Sequence, residues 1–434
     1  MVRDTTDNSY FIPWIYADNN RQTPYYVYFY MTSQERHEKR YQRRKAKREA
    51  KKRAFLDPID NFDIAINRNA LARASHEASL GLTWKSSVKR FNYRKMLNIK
   101  RLSDQLKAGE NTHKNFICFS LYERGKKRNI MSVRFYERVP QKSVCTNILY
   151  PALTRSLIYD NAANQIGKGT QLARRRVKEF LSWHYRRYGT EGYALLIDFK
   201  SFFENLDHEK IKDLLRDTFK DERILYYLFQ QLDDYADYYD RPVGLGLGSE
   251  TNQIYAVSLP SALDHFIKEK LGIHCYSAYM DDRVLIHISK LYLEECLIEI
   301  REFCKKYGFI INEKKTRIVK LTRGFSYLKT KYRLTETGHV VMTPDRKTVV
   351  RTRRRLKKFK IKYDAGEMTI EDIRTSYASA RGSLVDRDSY RSIRSLDSLY
   401  YSLFKEVNYH GKSENDKRRN YERDQDPRTV ARSD

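Results

Sequence analysis

The chain is poor in three things, and each scarcity narrows what it can be. It has only five cysteines, Cys118, Cys145, Cys275, Cys296 and Cys304, an odd number without C-x-x-C spacing. That pattern indicates neither a disulfide framework nor a structural zinc site and predicts buried thiols. No run approaches the ~18 consecutive apolar residues of a spanning helix, and residues 1–20 lack the charged, apolar, small-residue order of a secretion signal. An intracellular, cytoplasmic protein without membrane association is expected. Acidic residues are outnumbered: 55 Asp and Glu against 84 Lys and Arg leave a formal net charge of +29 over 434 residues. Self-repulsion of that size opposes compaction unless a polyanion neutralises part of it, so nucleic acid is the expected partner. The length exceeds that of a typical single domain, and no internal repeat is visible, so several subdomains are expected.

The positive charge is concentrated. Residues 33–53 hold eleven Lys and Arg and three Glu with no apolar stripe, which reads as a solvated helix or arm, or as an RNA-contacting one. Residues 346–362 hold ten Lys and Arg and no acid, broken by Val349, Val350, Leu356, Phe359 and Ile361. That spacing predicts a helix with a narrow apolar seam and a wide cationic face. Residues 405–434 are mostly polar and are expected to be disordered.

Between these basic segments the texture is mixed. Residues 116–134 read as two strands around a polar turn at 123–128, followed by a helix from 137 to about 159 and another after Gly169. The run YALLID (193–198) predicts a buried strand ending in a carboxylate, with Asp207 as N-cap of the next helix. A helix is expected over 252–270. The alternation in HCYSAYMDDRVLIHI (274–288) then predicts two antiparallel strands joined at 280–282, and a helix with Leu293, Leu297, Ile300 and Cys304 on one face follows. The order β-α-α-β-β-α defines an α+β layer with its acidic residues at strand ends.

Asp198, Asp281 and Asp282 therefore end an apolar strand and cap a hairpin between apolar strands, where unpaired charge is costly. Carboxylate oxygens suit hard Mg²⁺, and two such ions ~3.5–4 Å apart can clamp the attacking and leaving oxygens of an in-line phosphoryl transfer. Two lookalikes fail on spacing: residues 167–170 are not a Walker loop, and Gly244-x-Gly246-x-Gly248 has no preceding strand of the dinucleotide-binding type.

LLIDFKSFFENLDH (195–208), GLGLGSETNQIYA (244–256), YSAYMDD (276–282), FIINEKKTRI (309–318) and FSYLK (325–329) follow the order and spacing of a reverse transcriptase palm. GKKRNIMSVRFYERV (125–139) and NQIGKGT (164–170) resemble the fingers, and SYASARGSLVDRDSYR (376–391) the end of the thumb, of bacterial reverse transcriptases. That lineage includes group II intron, retron, diversity-generating and phage-defence enzymes. The resemblance covers roughly residues 116–405. It departs from the family at Gly246, where proline is usual, at Val257, where asparagine is common, and at Lys329, where the primer grip has glycine.

The resemblance implies a right-hand polymerase with fingers, a palm of ferredoxin-like antiparallel sheet plus helices, and a helical thumb. Its expected segments are a basic extension (1–55), a helical region with fingers (56–192), a palm (193–335), a thumb (336–404) and a charged tail (405–434). Asp198, Asp281 and Asp282 would be the catalytic metal ligands for two Mg²⁺ ions, with Mn²⁺ as a substitute. Phe203 would be the sugar gate, and Phe199 and Gln253 would line the nucleotide pocket. Lys127, Arg128 and Arg134 would face the triphosphate, and Lys315 would stand near the pyrophosphate leaving group. Arg351, Arg353, Arg354, Arg355, Lys357 and Lys358 would grip nucleic acid. The implied reaction is RNA-directed DNA synthesis from dNTPs. The partners would be an RNA template, such as a dedicated non-coding RNA, the DNA product, and an accessory protein or a second copy of the chain. Template-independent or protein-primed synthesis and a non-catalytic RNA-binding maturase are the alternatives. No His/Cys cluster of a mobile-intron endonuclease is present.

Overall fold

The computed structural model describes residues 32–123 and 126–404. Among the described residues two compact units interleave along the chain: one comprises residues 32–114, 134–152 and 215–230, the other residues 115–123, 126–133, 153–214 and 231–404. The expected linear segments do not map onto these units one to one, since the 56–192 segment contributes to both.

The first unit is helical. α1 (Ser33–Leu56) starts in a capping box, Thr32 Oγ1 accepting from the Glu35 amide at 3.2 Å while the Glu35 carboxylate accepts from the Thr32 amide at 2.6 Å. It is exposed along most of its length and anchored at its end, where Leu56 is buried and Arg53 donates to Asp57, Asp60 and the Thr218 carbonyl. α2 (Asp63–Ile66), α3 (Arg68–Ser79), α4 (Ser86–Tyr93), α5 (Lys95–Lys107) and α6 (Phe135–Val144) pack around Ile66, Leu71, Ile99, Leu102 and Ile148. The helix expected from 137 to about 159 is shorter. After a π turn at Cys145–Leu149 it ends in α7 (Tyr150–Thr154).

The second unit carries all three sheets of the described residues and the C-terminal helices. β1 (Ile117–Glu123) and β2 (Lys126–Ser132) form a hairpin with Phe119 opposite Ile130 and Leu121 opposite Arg128. α8 (Thr170–Tyr188) precedes β3 (Tyr193–Asp198), and α9 (His208–Arg216) starts with its Glu209 amide on Asp207 Oδ1 at 2.8 Å. α10 (Glu222–Tyr239) ends in this unit. The helix expected over 252–270 is broken into α11 (Glu250–Ser258), α12 (Ser261–His265) and a π turn, because Pro260 disfavours continued helix at the residue before it.

β4 (Cys275–Tyr279) and β5 (Asp282–His287) follow, then α13 (Lys290–Tyr307) and β6 (Arg317–Lys320). The main sheet is antiparallel with order β4-β5-β3-β6. A second antiparallel sheet, β7 (Phe325–Tyr327), β8 (Thr330–Leu334) and β9 (Val340–Pro344), shares one core with it and with α8 through Val177, Leu181, Ala194, Val284, Tyr332 and Met342. α14 (Arg346–Asp364), α15 (Ile370–Gly382) and α16 (Tyr390–Phe404) enclose a separate core of Leu356, Ile373, Tyr377, Leu396 and Tyr400, the two tyrosine rings stacked at 4.6 Å. The Asp388 amide and carboxylate both bond Met342 of β9, fixing this bundle to the sheet. Four cysteines are buried, as anticipated, but Cys118 on β1 is exposed. The tail at 405–434 lies outside the described residues.

Candidate active site

β3 and β5 are neighbours in the sheet, and their register sets Asp198 directly opposite Asp282. Directly paired strand residues have Cα atoms about 5 Å apart with side chains on one face, so two distant segments deliver their carboxylates to one point. Asp281 is the adjoining turn residue. The turn is a two-residue link, Tyr279 pairing with Asp282, and its first residue Met280 has φ +52°. That left-handed position usually goes to glycine.

Electrostatics mark the cluster as short of positive charge. Burial, reinforced by the neighbouring Asp198, raises the Asp281 carboxyl above its ordinary range, and burial followed by repulsion from Asp281 and Asp198 pushes Asp282 up to about 7. One ammonium already lies there: Lys315 Nζ is 2.8 and 2.9 Å from the two Asp198 oxygens. Asn312 was not singled out by the sequence pattern, though it lies inside FIINEKKTRI. It donates its side-chain amide to Asp198 Oδ2 at 2.9 Å and its backbone amide to the Asp198 carbonyl at 2.8 Å. Among the described residues no His, Cys, Asp or Glu trio has the geometry of a formed metal site. The donors nevertheless fit a hard divalent cation, being carboxylate oxygens that repel one another and hold a lysine ammonium as a stand-in.

Two phenylalanines separate in role. Phe202 is core, stacked on Phe199 at 5.6 Å, and Phe203 is half-buried with its ring edge-on to Phe202. Phe199 corrects an expectation: it is 3% exposed, stacked between Phe202 and Phe309 and beneath the Arg283 guanidinium, so it has no face for a nucleotide. Gln253 is half-buried on α11, beside Asn252, which donates to the Gly246 carbonyl at 2.8 Å. Gly246 is dictated by packing, because a Cβ there would meet the Tyr235 ring at 2.6 Å and Met131 Cβ at 2.9 Å.

Lys127 and Arg128 are exposed on β2. Arg134 belongs to the helical unit, where its Nε donates to the Lys114 carbonyl at 3.1 Å. Arg351, Arg353, Arg354, Arg355, Lys357 and Lys358 are exposed on α14 while Thr352 and Leu356 face its core, although Arg353 is tied to Ser395 and Arg355 lies over Phe359.

The four-stranded antiparallel sheet sets Asp198 at a strand end opposite Asp282, beside the hairpin tip that carries Asp281, which is the arrangement expected of a polymerase palm. Residues 120–332 match the family described as reverse transcriptase (RNA-dependent DNA polymerase). Members of that family generally use divalent metal ions. Solved structures similar to the chain include apo telomerase from Candida tropicalis truncated from its C-terminal domain, with 14% identity, 54% of this chain and 56% of that chain covered and a TM-score of 0.43. Telomerase from Candida albicans in complex with a fragment of telomeric RNA matches with 11% identity, 70% and 62% coverage and a TM-score of 0.42. The chain thus spans between 56% and 62% of the length of these two telomerase chains. No curated protein matches it significantly. No helix among the described residues is long and apolar enough to cross a membrane.

Proposed function

We propose that the protein extends a primer on an RNA template with dNTPs, using two Mg²⁺ ions held by Asp198, Asp281 and Asp282. The observation that carries this reading is the register that sets Asp198 opposite Asp282 with an ammonium drawn onto Asp198. When bound, the ions would supply the positive charge that phosphoryl transfer from a dNTP to a primer 3′-hydroxyl requires. The chain's own part is positional. The three carboxylates hold the cations, Asn312 fixes the Asp198 rotamer, and Lys315 leaves Asp198 for the anionic leaving group. Phe203 presents a ring edge where a 2′-hydroxyl would need room, which favours deoxynucleotides, and Gln253 lines the same pocket. Lys127, Arg128 and Arg134 serve the triphosphate. The cationic face of α14 grips the backbone of the growing hybrid without reading sequence, so binding weakens as salt rises.

The resemblance of residues 125–139, 164–170 and 376–391 to bacterial enzymes supports placing the protein in the cytoplasm of a bacterium. There it would act in a bacterial or prophage element with a dedicated RNA, in antiphage defence, retron synthesis or diversity generation. The test is extension of a DNA primer on an RNA template with dNTPs and Mg²⁺. The Asp281→Ala, Asp282→Ala double variant is expected to give no product, and product from that variant refutes the reading.

A further inference from the structure

The face of the main sheet opposite the carboxylates holds a buried ionic network that the polymerase reading does not use. Arg283 directly follows Asp282 on β5, so its side chain projects to the other face of the sheet. It is 1% exposed, Asp264 of α12 is fully buried, and so is Tyr276 of β4. Asp264 is satisfied without the arginine: Tyr276 Oη donates to it at 2.6 Å and Asn161 Nδ2 at 3.0 Å. Arg283 Nε stands 3.4 Å from Asp264 Oδ1, near enough for attraction, and has no hydrogen-bond partner among the described residues. Its directed bond goes elsewhere: Nη1 donates to the Met280 carbonyl at 2.9 Å, while the guanidinium lies over the Phe199 ring at 4.6 Å.

Met280 is the residue that needs such a bond. It holds the left-handed turn conformation that carries Asp281 and Asp282, and a non-glycine residue stays there only when its surroundings over-determine it. Arg283 thus touches both backbone segments that aim the carboxylates: the Met280 turn before Asp281 by a hydrogen bond, and Phe199 after Asp198 by its ring.

We propose that Arg283 is a positioning residue for the carboxylate cluster, a permanent buried cation that locks the Met280 turn and sets the affinity of the site for divalent metal. This rests on the metal-dependent reading above and extends it to a residue that touches neither metal nor nucleotide. Asp264 has the separate task of neutralising the guanidinium, so the two roles are separable by mutation.

The experiment measures Mn²⁺ binding to the nucleic-acid-free protein by electron paramagnetic resonance, with thermal melting and single-nucleotide extension, for wild type, R283K, D264N, the double variant R283M/D264N and D281N. The double variant removes both charges and so leaves no unpaired ion in the interior. It is expected to melt near wild type, yet bind Mn²⁺ about tenfold more weakly and lose about tenfold to 100-fold in kcat with the dNTP KM nearly unchanged. R283K is expected to recover part of the affinity. D264N, which keeps the Met280 bond, is expected to melt lower with metal affinity within about threefold of wild type. Wild-type affinity and kcat in the double variant, or affinity that merely tracks melting temperature across the series, overturns the proposal while leaving the polymerase reading intact. Wild type that binds no Mn²⁺, or binds it as D281N does, overturns both.

Discussion

Two β-hairpins in the same unit meet opposite demands. In β1–β2, Ile117, Phe119, Leu121 and Tyr122 are all exposed, so a seven-residue ladder stands with little covering either face. In β4–β5 nearly every strand residue is buried, the tip is held by Arg283, and the strands sit inside a four-stranded sheet. The difference is one of freedom. On the proposed reading, the carboxylates would hold a fixed geometry to stabilise charge, whereas a hairpin with cations at its exposed positions would adapt to a nucleotide that comes and goes. The exposed hairpin is seated at its base, where the Met131 amide bonds the Leu247 carbonyl at 3.1 Å and Phe116 stacks on Tyr235 at 4.6 Å.

The contrast can be broken from either side. The largest effect is expected at the rigid hairpin, where Asp281→Asn should lower kcat by at least ~10³-fold with little change in melting, measured by rapid-quench extension. Next is the seat of the exposed hairpin. Gly246→Ala drives a methyl into Tyr235 and Met131 and should cost about 1–3 kcal/mol in urea unfolding.

A third prediction uses pH. The Asp282 carboxyl, raised to about 7 by burial and then by Asp281 and Asp198, keeps a proton in the metal-free folded protein that the unfolded chain loses near its ordinary 3.8. Stability of the metal-free protein should therefore fall as pH rises from about 4 to 7. Asp282→Asn should flatten that slope and raise stability at pH 8 by roughly 1–2 kcal/mol, read by denaturation in chelator. The smallest effect belongs to the exposed hairpin: Lys127→Ala with Arg128→Ala should raise the dNTP KM about threefold to tenfold and leave stability within about 0.5 kcal/mol.

Much of this site could be read from the sequence because its signals are local. YALLID ends its strand at Asp198, the hairpin tip falls at 280–281, and the 346–362 segment forms α14 with Thr352 and Leu356 inward. What escaped depends on partners far away along the chain. Arg283, inside the apolar run after Asp282, was not singled out by the sequence pattern, and only the fold reveals its acid, Asp264 on a broken helix. The break itself was marked by Pro260. The sheet of β7, β8 and β9 was not legible because its strands are short and paired through Leu328 and Lys329, both at positive φ in a turn where glycine is usual. Phe199 looked like a pocket residue because it borders Asp198, yet strand alternation turns it into the core.

The central claim is that Asp198, Asp281 and Asp282 form one divalent-cation site, and anomalous diffraction from crystals grown with primer, template, dNTP analogue and Mn²⁺ tests it most directly. The account predicts two manganese peaks ~3.5–4 Å apart against these carboxylates, with Lys315 withdrawn from Asp198. A map without manganese there, with Lys315 still bound to Asp198, would contradict it.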